Sequence, residues 1–114
     1  MRVYLDARVL AAAFATRGLC ADVLRVVLTR HQLVATRALL RETRRLLVDE
    51  LRVPAVIADQ IVPFVREHAD VSNAKEPVVD FLVTASGTLG EDAPVSAVTP
   101  RGFWERLRQA TVAE

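Results

Sequence analysis

Short apolar segments alternate with helical patterns along this 114-residue chain. The apolar segments predict β-strands at residues 2–5, 32–35, 69–72, 81–84 and 95–98. Apolar residues at helical spacing predict helices over 7–16, 19–30, 38–51 and 53–68, and a terminal helix after Thr99-Pro100. Strands that alternate with helices favour the α/β class with a mostly parallel sheet. We expect one domain over residues 1–114.

Several single residues predict where these elements begin and end. Gly18 is expected to supply a helix C-cap, and Thr36 an N-cap for the third helix. Pro54 is expected in the first turn of the fourth helix. Pro63 lies inside the same pattern, so it should kink that helix or divide it into two pieces. Phe103 and Trp104 are expected to pack the last helix onto the sheet.

Composition and charge narrow the class of protein. The chain is 52% hydrophobic and 25% charged, which is typical of a compact domain. No apolar run is long enough to span a membrane and no cleavable signal is evident, so we expect no membrane association and a cytoplasmic location. The formal net charge of +1 argues against a strong nonspecific nucleic-acid binder. The single Cys20 excludes an internal disulfide and is interpreted as a core residue.

Two features carry candidate chemistry. Asp6 directly follows the first strand, where α/β nucleases place a metal ligand, but Asp is also a favoured helix N-cap. The third helix has a basic stripe that could track an RNA backbone or bind an acidic protein tail, and that could equally be a solvated face. The stripe consists of Arg37, Arg41, Arg44 and Arg45.

Four segments resemble the PIN-domain family. The opening LDARVL is similar to the family's "LDTNVL", and ATRALLRETRRLL is similar to "SPALLEELRRVL". Near the end of the chain, DFLVTASGTLG resembles "DYLVTGDRDLL" and VSAVTPRGFWERL resembles "ILTPREFLERL". Within that family, the segments resemble VapC-like toxin components of toxin–antitoxin pairs. The resemblance implies a PIN-like three-layer α/β/α sandwich.

The same resemblance implies metal-dependent RNA cleavage. In that family, several carboxylates at the strand ends hold Mg²⁺ or Mn²⁺, which activates a water and orients the phosphodiester. The resemblance assigns Asp6 and Glu42 as metal ligands and catalytic residues. Glu42 could instead be a solvated helix residue paired with Arg41 or Arg45. Arg8 could pair with either acid and stand where a cation was once held.

The chain departs from the family pattern at the third and fourth acids. The family has "DPDDxxVLAAALAGGA" before "DYLVT", whereas this chain has only AKEPVV, so most of one crossover helix is missing. Glu76 is the one acid near that position and is the third candidate catalytic residue. In the fourth position, TASGT replaces "TGDRD" and both acids are lost.

The missing helix predicts self-association, because it would expose apolar sheet surface or an unpaired edge strand. We therefore expect a homodimer or a domain-swapped pair. The family resemblance also implies dimerisation, through the family's own interface. Two functions stay open. One is a degenerate, catalytically impaired PIN-like domain that binds an antitoxin-like protein, RNA or its own copy and needs no cofactor. The other is a weak Mg²⁺- or Mn²⁺-dependent endoribonuclease toxin.

Overall fold

The computed structural model describes residues 1–73, 79–84 and 96–112. The strands are β1 (Arg2–Leu5), β2 (Gln32–Thr36), β3 (Ala69–Ser72), β4 (Phe81–Val83) and β5 (Ser96–Val98). The α-helices are α1 (Ala7–Ala15), α2 (Leu19–Arg30), α3 (Arg37–Arg45), α4 (Ala55–His68) and α5 (Pro100–Val112). A π-helical segment, Leu46–Glu50, follows α3 directly. The predicted element order is confirmed, with most boundaries moved by a residue or two.

The five strands form one parallel sheet in the order β3-β2-β1-β4-β5. The protein is therefore an α/β fold with the layout of a small three-layer α/β/α sandwich, as predicted. Because all the strands run the same way, their carboxyl ends meet at one side of the sheet. We call this side the carboxyl edge, and the residues that directly follow the strands there are Asp6, Arg37, Asn73, Thr84 and Thr99.

The main hydrophobic core lies between the helices and one face of the sheet. Val3 and Leu5 of β1 have no exposed surface, and Leu33 and Val83 of the neighbouring strands pack with them. Burial of one such side chain stabilises the fold by about 1.5–3 kcal/mol. Phe103 of α5 is 1% exposed and packs against this core, which confirms the predicted role of the last helix.

Two of the predicted boundaries are wrong in detail. Gly18 does not cap α1, because the helix ends at Ala15 with Thr16 as its C-cap. Instead, Gly18 begins α2 as its N-cap, with a φ of 141° that a side chain would disfavour. Pro54 is likewise the N-cap of α4 and not part of its first turn.

Pro63 does not divide α4, which is continuous from Ala55 to His68. The proline ring removes the hydrogen bond that would reach the Asp59 carbonyl four residues earlier. Both Pro63 and Asp59 are exposed. Water can therefore solvate that carbonyl, and the helix tolerates the proline at this position.

The predicted third helix is α-helical only to Arg45 and then continues as the π-helical segment. In that segment, the Leu51 amide donates to the Leu46 carbonyl at 2.9 Å. A π turn contains an extra residue, so Asp49 and Glu50 are rotated away from the positions that a regular α-helix would give them.

The predicted loss of a crossover helix concerns the connection between β3 and β4. That connection consists of residues 73–80, which is shorter than the dozen or so residues of a crossover that contains a helix. Residues 74–78, including Glu76, lie outside the described part of the chain. Exposed apolar sheet surface was expected here, but in the described ranges the large exposed apolar side chains other than Met1 lie on α4 or just before it.

No helix among the described residues is long and apolar enough to cross a lipid bilayer.

Candidate functional site at the carboxyl edge

Asp6 joins β1 to α1 at the carboxyl edge. Its backbone amide donates to the Val83 carbonyl of β4 at 2.9 Å, which continues the ladder between the two strands. Its side-chain Oδ1 accepts the Val9 amide at 2.8 Å and so caps α1. The capping role that the sequence left open is therefore present. A helix N-terminus also favours the negative charge of this carboxylate.

Glu42 lies on the exposed side of α3. It is six residues beyond the Thr36 cap, or roughly 9 Å along the helix at 1.5 Å per residue. Both of its carboxylate oxygens are bound by Arg45, with Nη2–Oε1 at 2.6 Å and Nε–Oε2 at 3.0 Å. These hydrogen bonds hold the pKa of Glu42 below its usual value, and the charges of Arg45 and Arg8 act in the same direction. Of the two partners weighed for Glu42, the structure therefore selects Arg45.

Arg8 does not pair directly with Asp6 or Glu42, as one interpretation of the sequence suggested. Its Nη1 is 3.2 Å from Oε2 of Glu50, in the π-helical segment. The guanidinium is still close enough to Glu42 to lower the pKa of that carboxyl. Arg8 thus supplies a positive charge near Glu42.

The basic stripe divides into two halves. Arg45 is bound to Glu42, and Arg44 donates from Nε to Oδ1 of Asp59 on α4 at 2.9 Å. Arg37 and Arg41 are exposed, and neither forms an ion pair with any residue that the structure describes. Within the stripe, Arg37 and Arg41 are therefore the two whose guanidinium groups are not bound by a carboxylate of the described residues.

Cys20 of α2 is half-buried and lies close to Asp6. Burial raises the pKa of its thiol, and the negative charge of Asp6 raises it further. Both effects disfavour the thiolate, which is the reactive and metal-binding form of cysteine. The expected role of Cys20 as a packing residue is consistent with its contacts.

Asp6 and Glu42 do not lie in a larger cluster of possible metal ligands among the described residues. Among them, no group of three or more His, Cys, Asp or Glu side chains is placed to hold a metal ion. Glu42 would also have to exchange its two hydrogen bonds with Arg45 for a metal bond. Mg²⁺ prefers a near-octahedral shell of oxygen ligands, usually with one or two protein carboxylates. The third candidate acid, Glu76, lies outside the described residues.

Sequence reasoning missed two acidic partners at this surface, Glu50 and Asp59. Arg8 and Glu50 are 42 positions apart in the chain, and Arg44 and Asp59 are 15 apart. Neither separation is a helical spacing, so no local pattern could have indicated either pair. A second reason applies to Glu50: the extra residue in the π turn rotates it away from the position that a regular α-helix would give it.

No family model, no curated protein and no solved structure matches this chain.

Proposed function

We propose that this chain is a degenerate PIN-like domain, impaired as a nuclease, that binds RNA through the carboxyl edge. The observation that carries the proposal is which charged side chains at this edge already have a hydrogen-bond or ion-pair partner. Asp6 caps a helix and Glu42 is bound by Arg45, whereas Arg37 and Arg41 have no ion-pair partner among the residues described. The carboxyl edge therefore presents unpaired guanidinium groups, which suit a polyanion better than a metal ion.

The chemistry of the two arginines supports a phosphate ligand. Arg37 and Arg41 are four residues apart on α3, so their Cβ atoms are about 5–6 Å apart on one helix face. A planar guanidinium can bind a phosphate through two hydrogen bonds. Arg37 is also the first residue of α3, so the positive end of the helix dipole lies beside it. An acidic antitoxin segment would use the same groups and is the competing partner.

RNA binding is tested by fluorescence anisotropy with a labelled single strand in EDTA. The double variant Arg37→Gln, Arg41→Gln should weaken binding and reduce the slope of log K against log salt by about 1.4, since each phosphate contact contributes roughly 0.7 for single strands. The matched control is Arg30→Gln, Arg66→Gln. These exposed residues lie at the carboxyl-terminal ends of α2 and α4, at the edge of the sheet opposite to the carboxyl edge. The control variant removes the same amount of charge. Equal losses in both double variants, or no binding by the wild type, would contradict the proposal.

A weak Mg²⁺- or Mn²⁺-dependent endoribonuclease is the second candidate. It is supported by the position of Asp6 between the ends of two neighbouring strands. An RNA-cleavage assay with each metal, an EDTA control and Asp6→Asn separates the two candidates. Metal-dependent cutting that Asp6→Asn abolishes would establish the nuclease. Cutting no greater than that of the variant would leave binding as the function.

A further inference from the structure

Arg8 lies in a helix that begins beside the two arginines of the proposed RNA site. The parallel register of β1 against β2, continued by two residues, places Asp6 level with Thr36. These two residues are the N-caps of α1 and α3, and neighbouring strands are only about 4.8 Å apart, so the two helices begin side by side. Arg8 is in the first turn of α1, as Arg37 is in the first turn of α3.

The charge of Arg8 acts on the part of α3 that carries these arginines. The pKa of Glu42 is lowered by its hydrogen bonds with Arg45 and, through space, by the charges of Arg45 and Arg8. Glu42 directly follows Arg41 in the chain, so the electrostatic influence of Arg8 extends to the same stretch of helix. The Arg8 side chain is 62% exposed, which leaves it open to a ligand from solvent.

The ion pair that holds Arg8 is the weakest by geometry of three that surround α3. Its single hydrogen bond, from Nη1 of Arg8 to Oε2 of Glu50, is 3.2 Å long. Arg45 instead binds Glu42 through two nitrogens, at 2.6 and 3.0 Å, and Arg44 binds its partner on α4 at 2.9 Å. The Arg8 side chain is also the most exposed of the three arginines. An exposed pair of this kind contributes little to stability, so a new anion can replace its carboxylate at little cost.

We propose that Arg8 is a third phosphate-binding residue of the RNA site and that Glu50 is its intramolecular competitor. This inference rests on the RNA binding proposed above. In the free protein, Glu50 occupies the Arg8 guanidinium through one contact. A backbone phosphate of bound RNA takes its place, because a phosphate can offer two oxygens to the planar guanidinium. The π turn contributes to this arrangement, since its extra residue sets the rotation of Glu50, and such turns are frequent at functional sites.

Arg8→Gln tests the contact with RNA, with Arg17→Gln as its matched control. Arg17 is exposed just beyond the carboxyl-terminal end of α1, so the control removes the same charge at the opposite end of the helix. With a labelled single strand in EDTA, Arg8→Gln should reduce the slope of log K against log salt by about 0.7, the contribution of one phosphate contact. Arg17→Gln should leave that slope unchanged. Equal slopes for the two variants would overturn the assignment of Arg8.

Glu50→Gln tests the competition, with Asp49→Asn as its matched control. Asp49 is exposed in the same π-helical segment and forms no ion pair with any residue that the structure describes. Both variants remove one negative charge, so any general effect on a polyanion is shared. Glu50→Gln should lower the dissociation constant for RNA by about two- to fivefold more than Asp49→Asn does, the ratio that one exposed ion pair implies. Equal effects of the two variants would overturn the role of Glu50.

A double-mutant cycle shows whether the two residues act through each other. When Arg8→Gln is already present, the advantage of Glu50→Gln over Asp49→Asn should disappear, because no guanidinium is left to release. An advantage that persists would show that Glu50 acts through another group and would overturn the proposal. RNA binding that depends on Arg37 and Arg41 but not on Arg8 would overturn this inference alone, whereas a wild type that does not bind RNA would overturn the proposed function as well.

Discussion

Substitution of Asp6 separates its capping role from a metal-binding role. Asp6→Ala removes the acceptor for the Val9 amide, which is 2.8 Å away, and loss of an N-cap costs about 1 kcal/mol of folding free energy. Asp6→Asn keeps an acceptor of the same shape, because Asn caps helices about as well as Asp does. It does lose the attraction between the carboxylate and the helix dipole, which is about 0.3–1 kcal/mol at low salt and less at physiological salt.

These free energies convert into measurable changes in melting temperature. An unfolding entropy of about 2.1 cal/mol/K per residue gives roughly 240 cal/mol/K for a chain of 114 residues. On this basis, Asp6→Ala should lower Tm by about 4 °C and Asp6→Asn by no more than about 2 °C in 0.15 M salt. Differential scanning calorimetry in EDTA measures both changes without any metal contribution.

A second scan in about 10 mM Mg²⁺ completes the experiment, because a ligand that binds only the folded state raises Tm by mass action. If Asp6 serves only as a cap, Mg²⁺ should shift the wild type and Asp6→Asn equally. A larger rise for the wild type would show that Asp6 holds the metal and would refute this reasoning. Equal destabilisation by Asn and Ala would show that the cap is not what stabilises this end of α1.

Three further outcomes follow from the structure. Asp6→Asn should lower the pKa of Cys20 and speed its alkylation at pH 8, although burial should still keep the thiol slower than a free cysteine. Arg45→Gln should raise the pKa of Glu42, measured by NMR titration. In the wild type, the ion pair with Arg45 favours the ionised carboxylate of Glu42. The stability that this pair contributes is therefore present above the pKa of Glu42 in the unfolded chain and is lost as the pH falls through its pKa in the folded protein. Phe103→Ala should cost about 3–5 kcal/mol in urea unfolding, since the ring is 1% exposed and packs edge-on against Phe81 at 5.7 Å; a loss below about 1 kcal/mol would contradict its placement in the core.

Predictions that depend on neighbouring residues in the chain held best. The caps at Thr36 and Asp6 form as capping chemistry requires, with Oγ1 of Thr36 accepting the Leu39 amide at 3.0 Å. The helices over 7–16 and 19–30 are present with only small changes at their ends. Each of these features is decided by interactions within three or four residues, so the pattern of side chains was enough.

The division of α4 at Pro63 and a regular third helix to residue 51 were both predicted wrongly, because solvent or packing overrides local preference at these places. Pro63 lies on the exposed face of α4, where water can replace the missing hydrogen bond. Leu46 and Leu47 of the π-helical segment are buried with Ala11 and Ala58. No sequence pattern announces such a segment, because its register is set by the helices packed around it.

The sequence by itself determined the α/β class, the order of the elements and the residues available at the ends of the strands. Those properties follow from hydrophobic periodicity and from capping, both of which act over a few residues. The tertiary structure alone decided which charges are paired: Arg8 with Glu50, and Arg44 with Asp59. It also decided that Ile57 and Phe64 of α4 stay exposed. An ion pair between distant residues depends on how the elements pack, and one chain read alone carries no local signal of that packing.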